Sequence, residues 1–148
     1  MSNEKSASST RLLWVACLCG VTGLVGCGGG PRLESVSGKV TLQGSPLTAG
    51  IVTFTPDASK GNTSKLTAFG KIGEGGSYTI VTDGKDGAAA GWYKVSVSTD
   101  MPPMDAPIGK PAASITLNPK YKNPETSGLA IEVVASPNAG AYDLPLLK

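Results

Sequence analysis

The sequence predicts an all-β protein, a single antiparallel β-sandwich that follows an N-terminal signal segment. Three observations lead to this class. From residue 35 onward, apolar residues recur at every second position in short stretches, which is the period of a half-buried strand. Glycine and proline, 20 and 11 of the 148 residues, separate these stretches. Beyond residue 26 no stretch has the 3.6-residue period of an amphipathic helix, so nothing predicts the crossover helices of a parallel sheet.

Residues 1–26 have the pattern of an export signal. Lys5 and Arg11 provide a basic start, and residues 12–26 form an apolar run that ends in small residues. A membrane-spanning helix is the alternative, but it needs about 20 apolar residues, and this run is shorter and contains Gly20 and Gly23. The signal therefore accounts better for the segment.

The run closes with "LVGC", residues 24–27, which resembles the lipobox of bacterial lipoproteins at all four positions. The resemblance implies cleavage after Gly26, a diacylglycerol on the sulfur of Cys27, and acylation of the new amino terminus. Cleavage after Gly28, between small residues and without a lipid, is the alternative. Two or three long acyl chains hold a protein on a membrane almost irreversibly, whereas one chain binds only marginally. We therefore expect the membrane as a partner, reached through Cys27.

Residues 27–34 are expected to form a flexible tether, which spans at most about 28 Å when extended. Gly28 would be the second residue of the mature chain. In the sorting rule of enterobacterial lipoproteins an aspartate at this position retains the protein at the inner membrane. The resemblance therefore favours the outer membrane, on its periplasmic face, with the cell surface as the second choice.

Cysteine content and charge restrict the mature chain further. Cys17 and Cys19 would leave with the signal, so no disulfide can form once the Cys27 sulfur carries a lipid. The whole chain has 13 basic and 11 acidic residues, and removal of residues 1–26 leaves 11 and 10, a net charge of +1. Because the basic residues are scattered singly, we expect no nucleic-acid partner.

Residues 35–148 are expected to fold as one β-sandwich domain. Turn sequences such as "QGSP", "EGGS", "TDGKDG" and "SPNAG" separate its predicted strands. The alternation assigns one face of each strand to the core. The inward positions are Val36, Val40, Leu42, Val52, Phe54, Tyr78, Ile80, Tyr93, Val95, Val97, Leu129, Ile131, Val133, Tyr142 and Leu144.

Two long stretches, "SGKVTLQGSPLTAGIVTFTPD" and "GSYTIVTDGKDGAAAGWYKVSVS", resemble the carboxypeptidase regulatory-like domain, a transthyretin-like sandwich related in architecture to immunoglobulin domains. The later "NPKYKNPETSGLAIEVV" is similar to the end of small planctomycete-type lipoproteins that carry this domain. The resemblance covers most of residues 35–148. It implies an accessory module without catalytic activity, since the regulatory domain lacks the zinc site of the peptidase.

The residues that carry chemistry are few. The chain has no histidine, which excludes Ser-His-Asp and Cys-His mechanisms and ordinary zinc sites, and we expect no cofactor. A Ser-Lys pair or a carboxylate pair remains open. Asp83 and Asp86 are the clustered acids, but they lie three positions apart, whereas a calcium loop spaces its first ligands by two. We expect two consecutive Asp-Gly turns here.

A candidate binding surface comprises Trp92, Asp83, Asp86 and Tyr121. Alternation turns Trp92 away from the core, so it is either an exposed platform for a sugar or a partner, or it is covered by the proline-rich loop 99–114. Tyr121 is expected to close the open edge of the sandwich. Three function classes remain: a structural or protein-interaction module of the cell envelope; a module that binds a glycan, a peptide or a small ligand; and an enzyme.

Overall fold

A computed structural model describes residues 32–100 and 115–148 of the chain. These residues contain strands and short 3-10 helices, without an α-helix among them. The strands are β1 (Leu33–Glu34), β2 (Ser37–Leu42), β3 (Ser45–Pro46), β4 (Gly50–Pro56), β5 (Ala68–Ile72), β6 (Ser77–Thr79), β7 (Val81–Thr82), β8 (Lys85–Asp86), β9 (Ala88–Ala89), β10 (Gly91–Ser98), β11 (Leu129–Val133) and β12 (Leu144–Leu146). The 3-10 helices are Ala58–Lys60, Glu74–Gly76 and Pro119–Lys122. The all-β prediction is confirmed.

The strands form a long curled sheet in the order β11-β10-β4-β5-β6-β2-β12, with β3, β7 and β8 attached beside it. A separate antiparallel pair joins β1 to β9. The curl is visible in the core, where the Phe54 ring of β4 lies 6.4 Å from the Tyr78 ring of β6, although β5 runs between these strands. The finer assignment, to a transthyretin-like or immunoglobulin-like sandwich, stays a prediction.

One strand pair departs from the expected antiparallel arrangement, because β12 runs parallel to β2, with Leu144 opposite Val40. The chain leaves β11, passes through residues 134–143, and returns along the outer edge of β2 in the same direction as β2. Parallel neighbours need such a connection, whereas a tight hairpin joins antiparallel ones. The period-two pattern assigns faces and not strand direction, so it cannot distinguish the two cases.

The core follows the predicted faces closely. Val36, Val40, Val52, Phe54 and Ile80 are each 0% exposed. All four tyrosines are buried as well, and each hydroxyl has a hydrogen-bond partner. The further inward positions of the alternation are also buried, except that Leu42 and Leu129 pack against the core while partly exposed. Tyr142, which we expected in the last strand, lies in the turn before it.

Two hairpin turns place a glycine where the backbone has a positive φ angle. Asp83 and Gly84 have φ angles of 49° and 74° and connect β7 to β8, while Gln43 and Gly44 have φ angles of 51° and 82° and connect β2 to β3. Positive φ at both central residues is characteristic of the type I′ turn, whose twist matches that of the paired strands. Asp-Gly is a preferred sequence for it, as the sequence analysis assumed.

The fold begins two residues earlier than expected. Leu33 and Glu34, which we placed in the tether, form β1 and pair with Ala89 and Ala88 of β9. A two-residue strand is too short to show alternation, which explains why the sequence did not reveal it. The described strands therefore begin at Leu33, within the stretch expected to form the tether.

Candidate functional site

The predicted lipidation residue, Cys27, and the whole signal segment lie outside the described residues. What the structure does describe is the start of the domain, six positions after Cys27. The Arg32 guanidinium Nε lies 3.1 Å from the Glu34 carboxylate Oε1 at this entry point. Within residues 32–100 and 115–148, no helix has the length and apolar character needed to cross a bilayer.

Asp83 and Asp86 are both exposed and belong to the β7–β8 hairpin. Asp83 occupies its turn, and Asp86 pairs with Val81 one strand away. Beneath the hairpin, the hydroxyl of Thr82 donates a hydrogen bond of 2.6 Å to the carbonyl of Gly87. Among the residues described, no three potential metal ligands of the His, Cys, Asp or Glu type come together. The "DGKDG" sequence thus forms a hairpin with one Asp-Gly turn, at Asp83-Gly84, and the expected second turn is wrong because Asp86 belongs to strand β8.

Trp92 lies on the outward side of β10, as predicted, and is half-buried. The ammonium nitrogen of Lys60 sits 3.7 Å from the centre of its ring, in a cation–π contact. We expected either an open platform or a cover formed by loop 99–114. The described cover comes from the short helix Ala58–Lys60, so the contacted ring face is not an open stacking platform, and a cover by loop 99–114 stays a prediction.

The segment that brings Lys60 over Trp92 is held by buried polar groups that the sequence analysis missed. Asp57 is 4% exposed, and its carboxylate accepts hydrogen bonds from the Ser59 hydroxyl at 2.6 Å and the Ser59 amide at 3.1 Å. These bonds, the hydroxyl bond above all, lower the pKa of Asp57 below its ordinary value, against an opposing effect of burial. Asn62 donates to the Trp92 carbonyl at 2.9 Å. The sequence does indicate this turn, because an aspartate followed two positions later by a serine, directly after a strand, is typical of the start of a short helix.

Tyr121 does not belong to an exposed binding surface. It is 3% exposed, and its hydroxyl accepts a hydrogen bond of 3.0 Å from the amide of Leu147, directly after β12. The helix Pro119–Lys122 that carries it packs on β10. Its side chain thus links the β10 side of the fold to β12, which agrees with the expected role of closing an edge. We correct its inclusion in the candidate binding surface.

The two ends of loop 99–114 lie close together. The Thr99 hydroxyl donates a hydrogen bond of 2.9 Å to the carbonyl of Ile115, and the Lys122 ammonium lies 2.6 Å from the Asp100 carboxylate. Residues 101–114 themselves lie outside the described stretches.

An open cleft of about 460 Å³ lies at the end of the domain where the chain enters it. One wall is formed by residues 34–37, and the other by the loop of residues 135–142, which follows β11. Most side chains of that loop are small, and the polar side chains that line the cleft include Glu34, Ser35, Ser37 and Asn138.

The structure reveals one exposed aromatic side chain that the sequence analysis did not consider. Phe69, the second residue of β5, is 54% exposed. Ala68, Gly70 and Ile72 of the same strand are buried, so alternation turns Phe69 outward. The sequence "AFGKI" does alternate, but its central inward position is a glycine and not an apolar residue, so the strand is difficult to recognise from the sequence.

Phe69 lies in a row of residues directly opposite one another on five neighbouring strands. Thr53 of β4 lies opposite Phe69, and Ser96 of β10 lies opposite Thr53. On the other side, Val81 of β7 lies opposite Phe69, and Asp86 of β8 lies opposite Val81. Directly paired residues project from the same face of a sheet. Phe69 is thus flanked by the half-buried Thr53 on one side and the half-buried Val81 on the other, while Ser96 at one end of the row is buried and Asp86 at the other end is exposed.

Comparisons of the chain with protein-family models, with curated proteins and with solved structures find no match.

Proposed function

We propose that this chain is a lipid-anchored bacterial envelope protein that acts without catalysis, as a structural or protein-interaction module. The single observation that carries the proposal is "LVGC" at the end of an apolar run with a basic start. A signal peptide alone would explain the run, but not a leucine three positions before a cysteine and a glycine directly before it.

The start of the fold agrees with a short anchor. With β1 beginning at Leu33, the chain from Cys27 to the domain extends at most about 20 Å. A lipid on Cys27 would therefore keep the domain next to the bilayer. Such a protein samples a narrow zone above the membrane, which suits a structural or interaction role better than a role in the free periplasm.

The composition of the chain supports the absence of catalysis in this proposal. A chain without histidine lacks the commonest general base. The clustered acids Asp83 and Asp86 have a structural explanation in the β7–β8 hairpin, where Asp83 supplies the turn. The buried carboxylate, Asp57, is used by the turn that follows β4.

Membrane fractionation of cells that express the chain tests the anchor. We expect the unaltered protein in the membrane pellet and the Cys27→Ser variant either in the soluble fraction or as the unprocessed precursor. Cys19→Ser is the matched control, because it makes the same chemical change within the signal and leaves the lipobox intact. A Cys27→Ser protein that is processed and stays membrane-bound like the parent would contradict the proposal.

The sorting position suggests the outer membrane as the site of anchoring. Gly28→Asp would place an aspartate in the second position of the mature chain. We expect density-gradient separation of the membranes to find the parent in the outer membrane and the Gly28→Asp variant shifted to the inner membrane. An identical distribution of the two proteins would contradict this localisation.

A second candidate function, glycan binding, is favoured by one specific observation. Phe69 is 54% exposed within a sheet row that also carries the half-buried Thr53 and the exposed carboxylate of Asp86. An envelope module of this kind would contact a carbohydrate polymer and not a protein.

A further inference from the structure

The chain contains two Asp-Gly pairs, Asp83-Gly84 and Asp86-Gly87, in different surroundings. An aspartate followed by a glycine is the sequence in which a peptide chain rearranges most readily, because glycine has no side chain to hinder attack by its backbone nitrogen on the aspartate side chain. The reaction needs a glycine amide that is free to rotate towards the carboxyl carbon. The structure therefore decides which of the two pairs can react.

The Asp83-Gly84 pair has this freedom. Both residues are exposed in the turn of the β7–β8 hairpin, and beyond the adjoining residues no atom lies within 4 Å of the position that a Cβ of Gly84 would occupy. Within residues 32–100 and 115–148, the Gly84 amide donates no hydrogen bond. Among the described strands, β8 pairs with β7 alone. Few contacts must break for this turn to open, so its opening costs little free energy.

The Asp86-Gly87 pair is held from three sides. Gly87 is buried, and its amide donates a hydrogen bond of 2.7 Å to the carbonyl of Ile80. Its own carbonyl accepts a hydrogen bond of 2.6 Å from the Thr82 hydroxyl. The backbone of β1 lies so close that a Cβ on Gly87 would collide with the carbonyl oxygen of Glu34. The Gly87 nitrogen cannot turn towards the Asp86 carboxyl until these contacts break.

We propose that Asp83-Gly84 is a site of spontaneous rearrangement to isoaspartate, whereas the fold protects Asp86-Gly87. The Gly84 nitrogen forms a bond to the side-chain carboxyl carbon of Asp83, and its hydrogen leaves as water together with the hydroxyl of the protonated carboxyl. A molecule of water then opens the resulting five-membered imide. Opening at the main-chain carbonyl gives isoaspartate, and opening at the side-chain carbonyl restores aspartate.

The product changes the hairpin without changing its charge. In isoaspartate the main chain runs through the former side-chain carbonyl, so the backbone of the turn gains a carbon atom. The two-residue turn depends on the φ angles of Asp83 and Gly84, 49° and 74°, for its fit to the paired strands. The longer turn no longer fits the pairing of Thr82 with Lys85, so β8 separates from β7.

Peptide mapping of the aged protein tests the proposal, because cleavage after lysine separates the two pairs. The first pair lies in the peptide 72–85 and the second in the peptide 86–94. The full chain is purified in detergent, kept at neutral pH and body temperature, and digested at intervals, and each peptide is compared with synthetic aspartate and isoaspartate standards. We expect isoaspartate to form at Asp83 at least about fivefold faster than at Asp86, the factor by which one hydrogen bond that must break lowers the reactive population.

Two controls separate the effect of the fold from that of the sequence. In guanidinium chloride, where the chain is unfolded, both pairs should convert at similar rates. Asp83→Asn and Asp86→Asn each create an Asn-Gly pair, which forms the same imide with release of ammonia, and in the folded protein the Asp83→Asn variant should deamidate the faster. Absence of isoaspartate at Asp83 in the folded protein, or equal conversion of the two pairs, would overturn the proposal. A preference for Asp83 that persists in the unfolded chain would overturn it as well, because the fold would not be the cause.

Discussion

Val95 provides the sharpest test of the predicted faces. It is 0% exposed in the centre of β10, opposite Phe54 of β4 and Leu129 of β11. We predict that Val95→Ala destabilises the domain measurably and that Val95→Asp prevents it from folding. The control is Ala130→Asp, which introduces the same carboxylate at an exposed position of β11, the strand next to β10.

The magnitudes follow from burial. Val95→Ala removes two methyl groups, each worth about 0.8 kcal/mol, and leaves a small cavity, so the free energy of unfolding should fall by about 2 kcal/mol. Val95→Asp loses the same apolar contact and buries a carboxylate without a partner, which adds several kcal/mol. A total of about 5 kcal/mol or more matches the entire stability of many domains. Ala130→Asp places a carboxylate at an exposed position opposite Lys94, so it should change stability by less than about 1 kcal/mol.

Urea denaturation followed by far-ultraviolet circular dichroism measures these differences. With a slope of about 2 kcal/mol per molar urea, Val95→Ala should lower the midpoint by about 1 M. Similar midpoints for Val95→Asp and Ala130→Asp would refute the assignment of inward and outward faces. Alternation alone predicts that Lys94→Asp would leave stability unchanged, since Lys94 is on the outward side of β10. It is a poor control because the Lys94 ammonium lies 2.6 Å from the Glu125 carboxylate and the substitution would remove this ion pair.

Three further predictions concern single groups. Asp57→Asn should lower the free energy of unfolding at neutral pH, as measured by urea titration. The pKa of Asp57 is lowered in the folded state, so its carboxylate stabilises the fold above the unfolded pKa, and this stabilisation is lost as the pH falls through the folded pKa. The difference in stability between the variant and the parent should therefore vanish in acid. Tyr121→Phe should cost about 1 kcal/mol in the same assay, because the Leu147 amide loses its acceptor. Neither the parent nor the double variant Asp83→Asn, Asp86→Asn should turn over ester, peptide or glycoside substrates; turnover by the parent that the double variant loses would contradict the non-catalytic proposal.

The strand faces could be predicted from the sequence because alternation reports burial directly. Val52, Phe54 and Val95 were placed inward from their spacing alone, and each is 0% exposed. The Asp83-Gly84 turn was equally readable, since positive φ at two successive positions favours this pair. Pairing order and direction were not readable, because the partner of a strand depends on contacts between distant parts of the chain. The parallel pair of β2 and β12 is the clearest case.

The candidate surface was predicted less well, for reasons that lie in particular residues. Tyr121 was expected both in the candidate surface and at the open edge of the sandwich, and the backbone amide of Leu147, 26 positions away, fixes its hydroxyl inside the fold. Trp92 was placed correctly on the outward side of β10, but its cover by Lys60 depends on the path of the turn after β4. Phe69 was overlooked because Gly70 occupies an inward position where an apolar residue would have completed the pattern.

Mass spectrometry of the mature amino terminus tests the central claim most directly. The protein is extracted from membranes, and its N-terminal fragment is isolated after proteolysis. We predict that the mature chain begins at Cys27 and carries the added mass of two or three acyl chains. A mature chain that begins at Gly29 without a lipid would contradict it, as would an unprocessed amino terminus retained on an otherwise membrane-bound protein.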